Sequence, residues 1–224
     1  MAAEFEPALE FMRRRAKVDS GDADLGKTEL PSPSLDQSCE PLPFVGKLAM
    51  AGSIPFGVFI VHGSDNNQSS LRLHLPDEAA TVAFGSALAQ ALVPGLTFWL
   101  EGDLGAGKTT LVRAILRALG HKGPVKSPTY ALVESYAVSS LYLYHFDFYR
   151  LNQPEEFVDA GLGEYFSDNS LCFVEWPDKA AGFVPAADVV VRLRHEGEGR
   201  SLELAAFSAS GQTCLTKVRS LFPR

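Results

Sequence analysis

The sequence predicts an α/β domain with a mixed central sheet, and three observations support this fold class. A strand–loop–helix unit spans residues 96–119, with a glycine-rich turn between an apolar strand and an amphipathic helix. Further segments of strand length and composition follow it, at 131–138, 141–148, 171–176, 188–194 and 201–206. The chain of 224 residues is 46% apolar and 21% charged, which is ordinary for a globular protein. Such an order of elements is typical of a three-layer α/β domain.

The first 70 residues differ in composition from the rest. Six of the 14 prolines lie there among Ser, Gly, Asp and Glu, and beyond a short helix expected at 4–17 no hydrophobic period persists. We therefore predict a linker or poorly ordered N-terminal extension at 1–70, a folded domain at 71–215 and a C-terminal tail at 216–224. Residues 44–61 are mostly apolar, but their lysine, glycines and proline suit a membrane-spanning helix poorly. Met50 is an alternative translation start.

Charge and cysteine content disfavour several classes of function. Twenty Lys and Arg against 27 Asp and Glu give a net charge of -7. Binders of DNA, RNA or anionic membranes need surplus cations, so we expect neither DNA nor membrane as a partner, and RNA only through a more basic protein. The three cysteines are widely separated, without a C-x-x-C motif. A disulfide scaffold and a structural zinc site are therefore disfavoured, and we expect a cytoplasmic protein.

The folded domain is predicted to begin with a helix. Pro76, Asp77 and Glu78 have the composition of a helix first turn, and apolar residues recur on one face until Pro94 and Gly95 end it. An apolar strand at 96–100 follows. A second helix is expected at 108–119, ended by the glycine at position 120.

Residues 102–109, with the sequence GDLGAGKT, match the phosphate-binding pattern G-x-x-x-x-G-K-[ST] at every fixed position. Its glycines let backbone N–H groups point at a phosphate, and the following helix adds its positive N-terminal end. Lys108 is expected to reach the β- and γ-phosphates and Thr109 to coordinate Mg²⁺. The guanine-reading N-K-x-D motif and the D-x-x-G switch are absent. The loop therefore predicts a P-loop NTPase-like domain, with ATP as the expected nucleotide by elimination.

Two acids at the ends of apolar strands are candidates for magnesium binding and for orienting the attacking water. Asp147 shares a strand face with His145, and its structural alternative is an ion pair with Arg150 or with the end of a neighbouring strand. Glu175 ends the apolar run 171–174, and its alternative is a capping or surface role. His145 is expected to be a core histidine rather than a base. Thr129 follows the turn at 127–128, and its hydroxyl could face the γ-phosphate or the metal.

Several motifs in order resemble the bacterial TsaE (YjeE) family, from about residue 73 to 215. These are PDE at 76–78, GDLGAGKTT at 102–110, KSPTY at 126–130, LVE at 132–134, HFDFYRL at 145–151 and VEWP at 174–177. Phe148 stands where a leucine is expected. The first 70 residues have no counterpart in the family pattern.

The resemblance implies an ATPase needed for threonylcarbamoyladenosine modification of tRNA. Its implied partners are homologues of TsaB and TsaD, whose complex it binds and resets through ATP hydrolysis. tRNA is then an indirect partner, reached through that complex. The implied catalytic residues are Glu175, Asp147 and Lys108, and the implied magnesium ligands are Thr109, Asp147 and Glu175. The implied nucleotide-binding residues are Asp103, Leu104, Gly105, Ala106, Gly107, Lys108, Thr109, Thr110, Thr129 and Trp176.

Two alternatives stand beside this interpretation. A small-molecule kinase would also use a P-loop, but no arginine-rich lid is evident in the sequence. A nucleotide-dependent binding module would bind ATP without needing to hydrolyse it, and would tolerate loss of Glu175 but not of Lys108.

Overall fold

A mixed eight-stranded sheet runs through the part of the chain that the computed structural model describes, residues 59–60, 70–138 and 141–222. The helix expected at 4–17, the linker after it and Met50 lie outside these residues. The strand order is β1-β2-β8-β7-β3-β6-β5-β4. The strands are β1 Phe59–Ile60, β2 Ser70–Leu75, β3 Thr97–Glu101, β4 Val133–Val138, β5 Leu141–Asp147, β6 Ser170–Glu175, β7 Val189–Glu196 and β8 Gly199–Ala206.

Two of the helix ends have clear local signals. The Asp77 side chain accepts a hydrogen bond from the backbone N–H of Ala80 at 2.7 Å, which caps the first helix. Gly120, at φ +99°, ends the second. The helices are α1 Glu78–Ala91, α2 Lys108–Ala118, α3 Glu156–Asp159 and α4 Ala209–Leu221, and 3-10 turns lie at Leu162–Tyr165 and Pro177–Ala180.

The central strands are parallel and bring their carboxyl ends to one edge. β3 pairs with β6 and β7, and β5 pairs with β6, all in parallel, whereas the other pairs are antiparallel. In this register Asp147 of β5 lies opposite Glu175 of β6. The two acids singled out in the sequence therefore end neighbouring strands, beside the loop that leaves β3.

Two apolar clusters cover the two faces of the sheet and make three layers. One joins the sheet to α1, α2 and α4; its members include Leu73, Phe84, Leu100, Ile115, Leu143 and Leu215. The other joins the opposite face to α3 and the 3-10 turns; its members include Phe146, Phe148, Phe157, Leu162 and Val174. Burying a side chain of this size contributes about 1.5–3 kcal/mol. The α/β class and the mixed sheet are confirmed.

The structure differs from the expected boundaries at both ends. The expectation of a C-terminal tail at 216–224 is wrong for residues 216–222. There α4 continues to Leu221, and Val218 and Phe222 are buried in the helix-side core. β1 pairs antiparallel with β2, so a short piece of the expected extension adds an edge strand. Neither β2 nor α4 has a pattern that the sequence analysis identified. Within the described residues, no helix combines the length and the apolar character needed to span a membrane.

Candidate functional site

The glycine-rich loop connects β3 to α2 and packs closely against two neighbours. Gly102 has a φ of +144°, and a Cβ there would lie 2.3 Å from the carbonyl oxygen of Leu193. Gly107 has a φ of +106°, and a Cβ there would lie 3.1 Å from Arg200 Nε. Arg200 Nε in turn donates to the carbonyl of Ala106 at 2.8 Å. Only glycine adopts these two conformations in so little space, so the loop's shape depends on them.

Lys108, the first residue of α2, folds its side chain into the loop. Its ammonium donates to the carbonyls of Gly102 at 2.7 Å and Asp103 at 2.9 Å, and the residue is 4% exposed. Burial lowers the pKa of Lys108, while the carboxylates of Glu175, Asp147 and Asp103 act in the opposite direction. The ammonium is thus buried inside the loop, beside carboxylates that favour its charged form.

Glu175 joins the loop to the neighbouring strand. Its Oε1 accepts a hydrogen bond from the Thr109 hydroxyl at 2.9 Å and lies 2.9 Å from His145 Nε2. Its Oε2 lies 3.9 Å from Lys108 Nζ. The residue is 4% exposed. The expected alternative, a surface or capping role for Glu175, is therefore wrong, since the carboxylate is buried at the centre of the site.

Asp147 is held by the segment that precedes β4. Its Oδ2 accepts hydrogen bonds from the hydroxyls of Ser127 and Thr129, the latter at 2.9 Å. Its Oδ1 accepts from the backbone N–H of Tyr149 at 3.1 Å. Two hydroxyls and one backbone N–H satisfy this buried carboxylate and fix where its two oxygens point.

The structural alternative for Asp147, an ion pair with Arg150, is not formed among the described residues. Arg150 instead places its guanidinium over the ring of Tyr130, 4.2 Å from the ring centroid. Tyr130 is 86% exposed, so this pair lies on the surface. Asp147 is left available to the site.

Aromatic rings form one wall of the site. Lys108 Nζ lies 4.6 Å from the centroid of the Trp176 ring, and the centroids of the Tyr149 and Trp176 rings are 5.2 Å apart. Trp176 has a φ of +58°, a conformation rarely adopted by a bulky residue. The backbone there turns sharply after Glu175 into the 3-10 turn that begins at Pro177. This strained turn places the indole beside the loop.

These groups enclose a cavity of about 210 Å³. Its lining residues are Leu104, Gly105, Gly107, Lys108, Thr109, Thr110, Ser127, Thr129, Asp147, Tyr149, Glu175 and Trp176. Of the residues implied by the family resemblance, only Asp103 and Ala106 do not line it. The Asp103 carbonyl binds Lys108, and Ala106 is fully buried. The structure thus brings the implied residues together, and their roles stay predictions.

Three residues of the site were not among the predicted site residues. Ser127 and Tyr149 line the cavity, and His145 contacts Glu175. The alternation along β5 puts His145 and Tyr149 on the face of Asp147, which is the signal that could have found them. Ser127 and Thr129 meet Asp147 only in the folded protein, and no local sequence pattern predicts that contact.

A hard divalent cation fits the oxygen donors here. Two carboxylates and the Thr109 hydroxyl are ligands that Mg²⁺ prefers, and Mg²⁺ usually takes one or two carboxylates plus substrate phosphates. In the described part of the chain, no group of three or more His, Cys, Asp and Glu side chains is placed to hold a metal by itself. A metal here would therefore depend on the oxygens of a bound phosphate.

A second cavity, of about 530 Å³, lies on the other side of Trp176. Glu101 and Arg192, which form an ion pair at 2.7 Å, line it together with Asp103 and Asp178. Charged side chains of both β3 and β7 therefore contribute to its lining.

Known proteins resemble this chain over the whole region that forms the site. The family model described as "Threonylcarbamoyl adenosine biosynthesis protein TsaE" matches residues 75–202. A protein of Haemophilus influenzae named tRNA threonylcarbamoyladenosine biosynthesis protein TsaE is 41% identical over 152 residues, which are 66% of this chain and 96% of the relative. A protein of the same name from Bacillus subtilis is 37% identical, over 55% of this chain and 75% of the relative.

A solved structure shares the fold. The crystal structure of Bacillus subtilis YdiB superposes with a TM-score of 0.59 and 27% sequence identity, covering 69% of this chain and 97% of that one. Residues 75–202, which the family model matches, contain the loop, both acids and the tryptophan. The chain therefore belongs to the TsaE family of threonylcarbamoyladenosine biosynthesis proteins.

Proposed function

We propose that this protein hydrolyses ATP in the cavity beside loop 102–109 and thereby supports threonylcarbamoyladenosine modification of tRNA. The observation that carries the proposal is that the buried carboxylate of Glu175 contacts both Thr109 and Lys108. Phosphate-binding lysine, magnesium-binding hydroxyl and strand-end carboxylate are the parts that P-loop ATPases combine.

The chain's own groups divide the work of binding and chemistry. Backbone N–H groups of the loop and the N-terminus of α2 face the phosphates, and the Lys108 ammonium neutralises the β- and γ-oxygens. Thr109, Glu175 and Asp147 would hold Mg²⁺, which supplies positive charge to the phosphate oxygens. Glu175, which accepts a hydrogen bond from Thr109, would bind the metal more directly, whereas Asp147, which accepts from Ser127 and Thr129, would also orient the attacking water.

The proposed partners are homologues of TsaB and TsaD, whose complex this protein binds and resets through hydrolysis. Membership of the family and the net charge support this proposal. A net charge of -7 suits a subunit that acts on a tRNA-modifying complex without itself binding tRNA strongly. On this proposal the protein acts in the cytoplasm, where tRNA is modified.

Transfer of the γ-phosphate to a small molecule is the second candidate function. The observation that favours it is the second cavity, which shares Trp176 with the first and has room for an acceptor. A kinase predicts turnover only when an acceptor is added. ATPase action predicts phosphate release to water without one.

ATP hydrolysis should be measured for the protein alone and with TsaB and TsaD homologues. We expect phosphate release that rises with the partners and is lost in Lys108→Ala, because the buried ammonium has no substitute in the loop. Lys217→Ala, which removes an exposed lysine of α4, is the matched control and should behave as wild type. Hydrolysis that the partners leave unchanged would contradict the proposed role in their complex.

A non-hydrolytic binding module is tested in the same assay. It requires that Glu175→Ala still supports modification by the partners while Lys108→Ala does not. Loss of modification in both variants, with ADP binding retained in Glu175→Ala, would exclude it.

A further inference from the structure

His145 is the buried titratable residue of the site that the proposed function does not use. It lies on β5, is 0% exposed, and its Nε2 is 2.9 Å from Glu175 Oε1. Its Nδ1 is also buried and has no hydrogen-bond partner in the described part of the chain. A buried polar nitrogen without a partner is costly, so packing alone gives no reason for a histidine at this position.

The hydrogen-bonding pattern fixes which nitrogen carries the proton. A carboxylate only accepts hydrogen bonds, so Nε2 must be the donor toward Glu175. The opposite tautomer would direct a lone pair at the carboxylate and leave a buried N–H without an acceptor. His145 therefore donates from Nε2 to Glu175.

The consequence concerns the two oxygens of Glu175. Oε1 receives hydrogen bonds from Thr109 and His145 at 2.9 Å each, whereas Oε2 is the oxygen within 3.9 Å of Lys108. Two donors on Oε1 hold the carboxylate in one rotamer. Without His145, Thr109 would be the single side-chain hydrogen-bond donor to Glu175 among the described residues, and the carboxylate could rotate.

We propose that His145 is a positioning residue, which donates from Nε2 to Glu175 Oε1 and so keeps Oε2 directed toward the bound phosphates and their Mg²⁺. The inference rests on the proposed function, because it assigns a role within the same nucleotide site. It differs from a packing role in that only the position of one donor atom matters.

The structure suggests a set of three variants that separates donor position from volume. Glutamine places its amide nitrogen near the position of a histidine Nε2, asparagine places it near Nδ1, and phenylalanine fills the volume without a donor. ADP affinity is measured by calorimetry with and without MgCl₂, and thermal unfolding of each variant reports whether it is folded. This readout does not require hydrolysis.

We expect His145→Gln to keep the gain in ADP affinity that Mg²⁺ gives to the wild type. His145→Asn and His145→Phe should lose at least about tenfold of that gain, as expected when a partner of a metal-binding group is removed. Their affinity for ADP without Mg²⁺ should stay unchanged. Equal behaviour of the Gln and Asn variants, a full gain in the Phe variant, or no gain in the wild type would overturn the proposal.

A measurement on the unmodified protein covers the case in which variants do not fold. The ¹⁵N chemical shifts of the imidazole should show a proton on Nε2 of His145. An Nδ1–H tautomer would overturn the proposal. Failure of the proposed function would look different. The wild type would then show the expected gain in ADP affinity with Mg²⁺ and the Nε2–H tautomer, but would not hydrolyse ATP with or without partners.

Discussion

Replacing Glu175 by glutamine tests the site most directly, because it removes one charge and keeps the shape of the side chain. Glu175 Oε2 and Lys108 Nζ are 3.9 Å apart, with side chains 5% and 4% exposed. At an effective dielectric constant of about 20, two unit charges at this separation attract each other by about 4 kcal/mol. Salt screens a buried pair weakly. The carboxylate therefore competes with phosphate for the ammonium.

The expected effects have opposite signs with and without Mg²⁺. Without the metal, Glu175→Gln should bind ADP about tenfold more tightly. A tenfold change in affinity corresponds to about 1.4 kcal/mol, which is about a third of the attraction between Glu175 and Lys108 that the substitution removes. With the metal, the affinity gain that Mg²⁺ brings should shrink, because an amide attracts the cation less. ATP hydrolysis should fall by about 10–100-fold, because the metal is held less tightly.

Calorimetry with ADP, with and without MgCl₂, and phosphate-release kinetics measure these effects. Asp168→Asn is the matched control, since it removes one exposed charge at the opposite end of β6. A fall in metal-free ADP affinity, or hydrolysis equal to that of the wild type, would refute the reasoning that places Glu175 between the lysine and the metal.

Three further predictions concern other parts of the molecule. Saturating MgADP should change the emission of Trp99→Phe, which keeps the cavity-lining Trp176, but not of Trp176→Phe; the reverse pattern in a fluorescence titration would misplace the site. Burial raises the pKa of Cys172 to about 12 and of Cys214 to about 11. The thiols of the unfolded chain therefore ionise first as the pH rises above 9. Each buried thiol should then lower the free energy of unfolding, by about 1.4 kcal/mol at pH 10 relative to its value below pH 9. Urea unfolding at pH 8 and pH 10 measures this loss, which alanine at both cysteines should reduce; an unchanged loss would count against it. Removing residues 1–49 should leave ATP hydrolysis intact, and a fall in the rate of the truncated protein would give that segment a role.

Local sequence patterns were sufficient to predict most elements around the site. The loop 102–109 needs glycines at fixed positions and a helix that starts at Lys108, and both are visible in eight consecutive residues. The apolar strands that end in Asp147 and Glu175 are visible in the same way, since alternation and apolar runs are properties of neighbouring residues. Family motifs in the correct order added the implied chemistry.

The elements that the sequence analysis missed have weak local signals. α4 is held by contacts of Leu215 and Val218 with the helix-side core and by the Ser208 cap, whose hydroxyl accepts from the Gly211 N–H at 3.0 Å. β2 is a strand because it pairs along its whole length with β8, more than a hundred residues later. Tertiary contacts, rather than propensity, decide such segments.

The sequence by itself determined the phosphate-binding loop, the two strand-end acids and the family. Only the tertiary structure decided how these groups divide: Glu175 with Lys108, Thr109 and His145, and Asp147 with Ser127 and Thr129. The physical reason is that the loop's chemistry is encoded in residues adjacent in the chain. The pairing of the acids instead depends on the parallel register of β5 and β6, which is set by packing across the whole sheet.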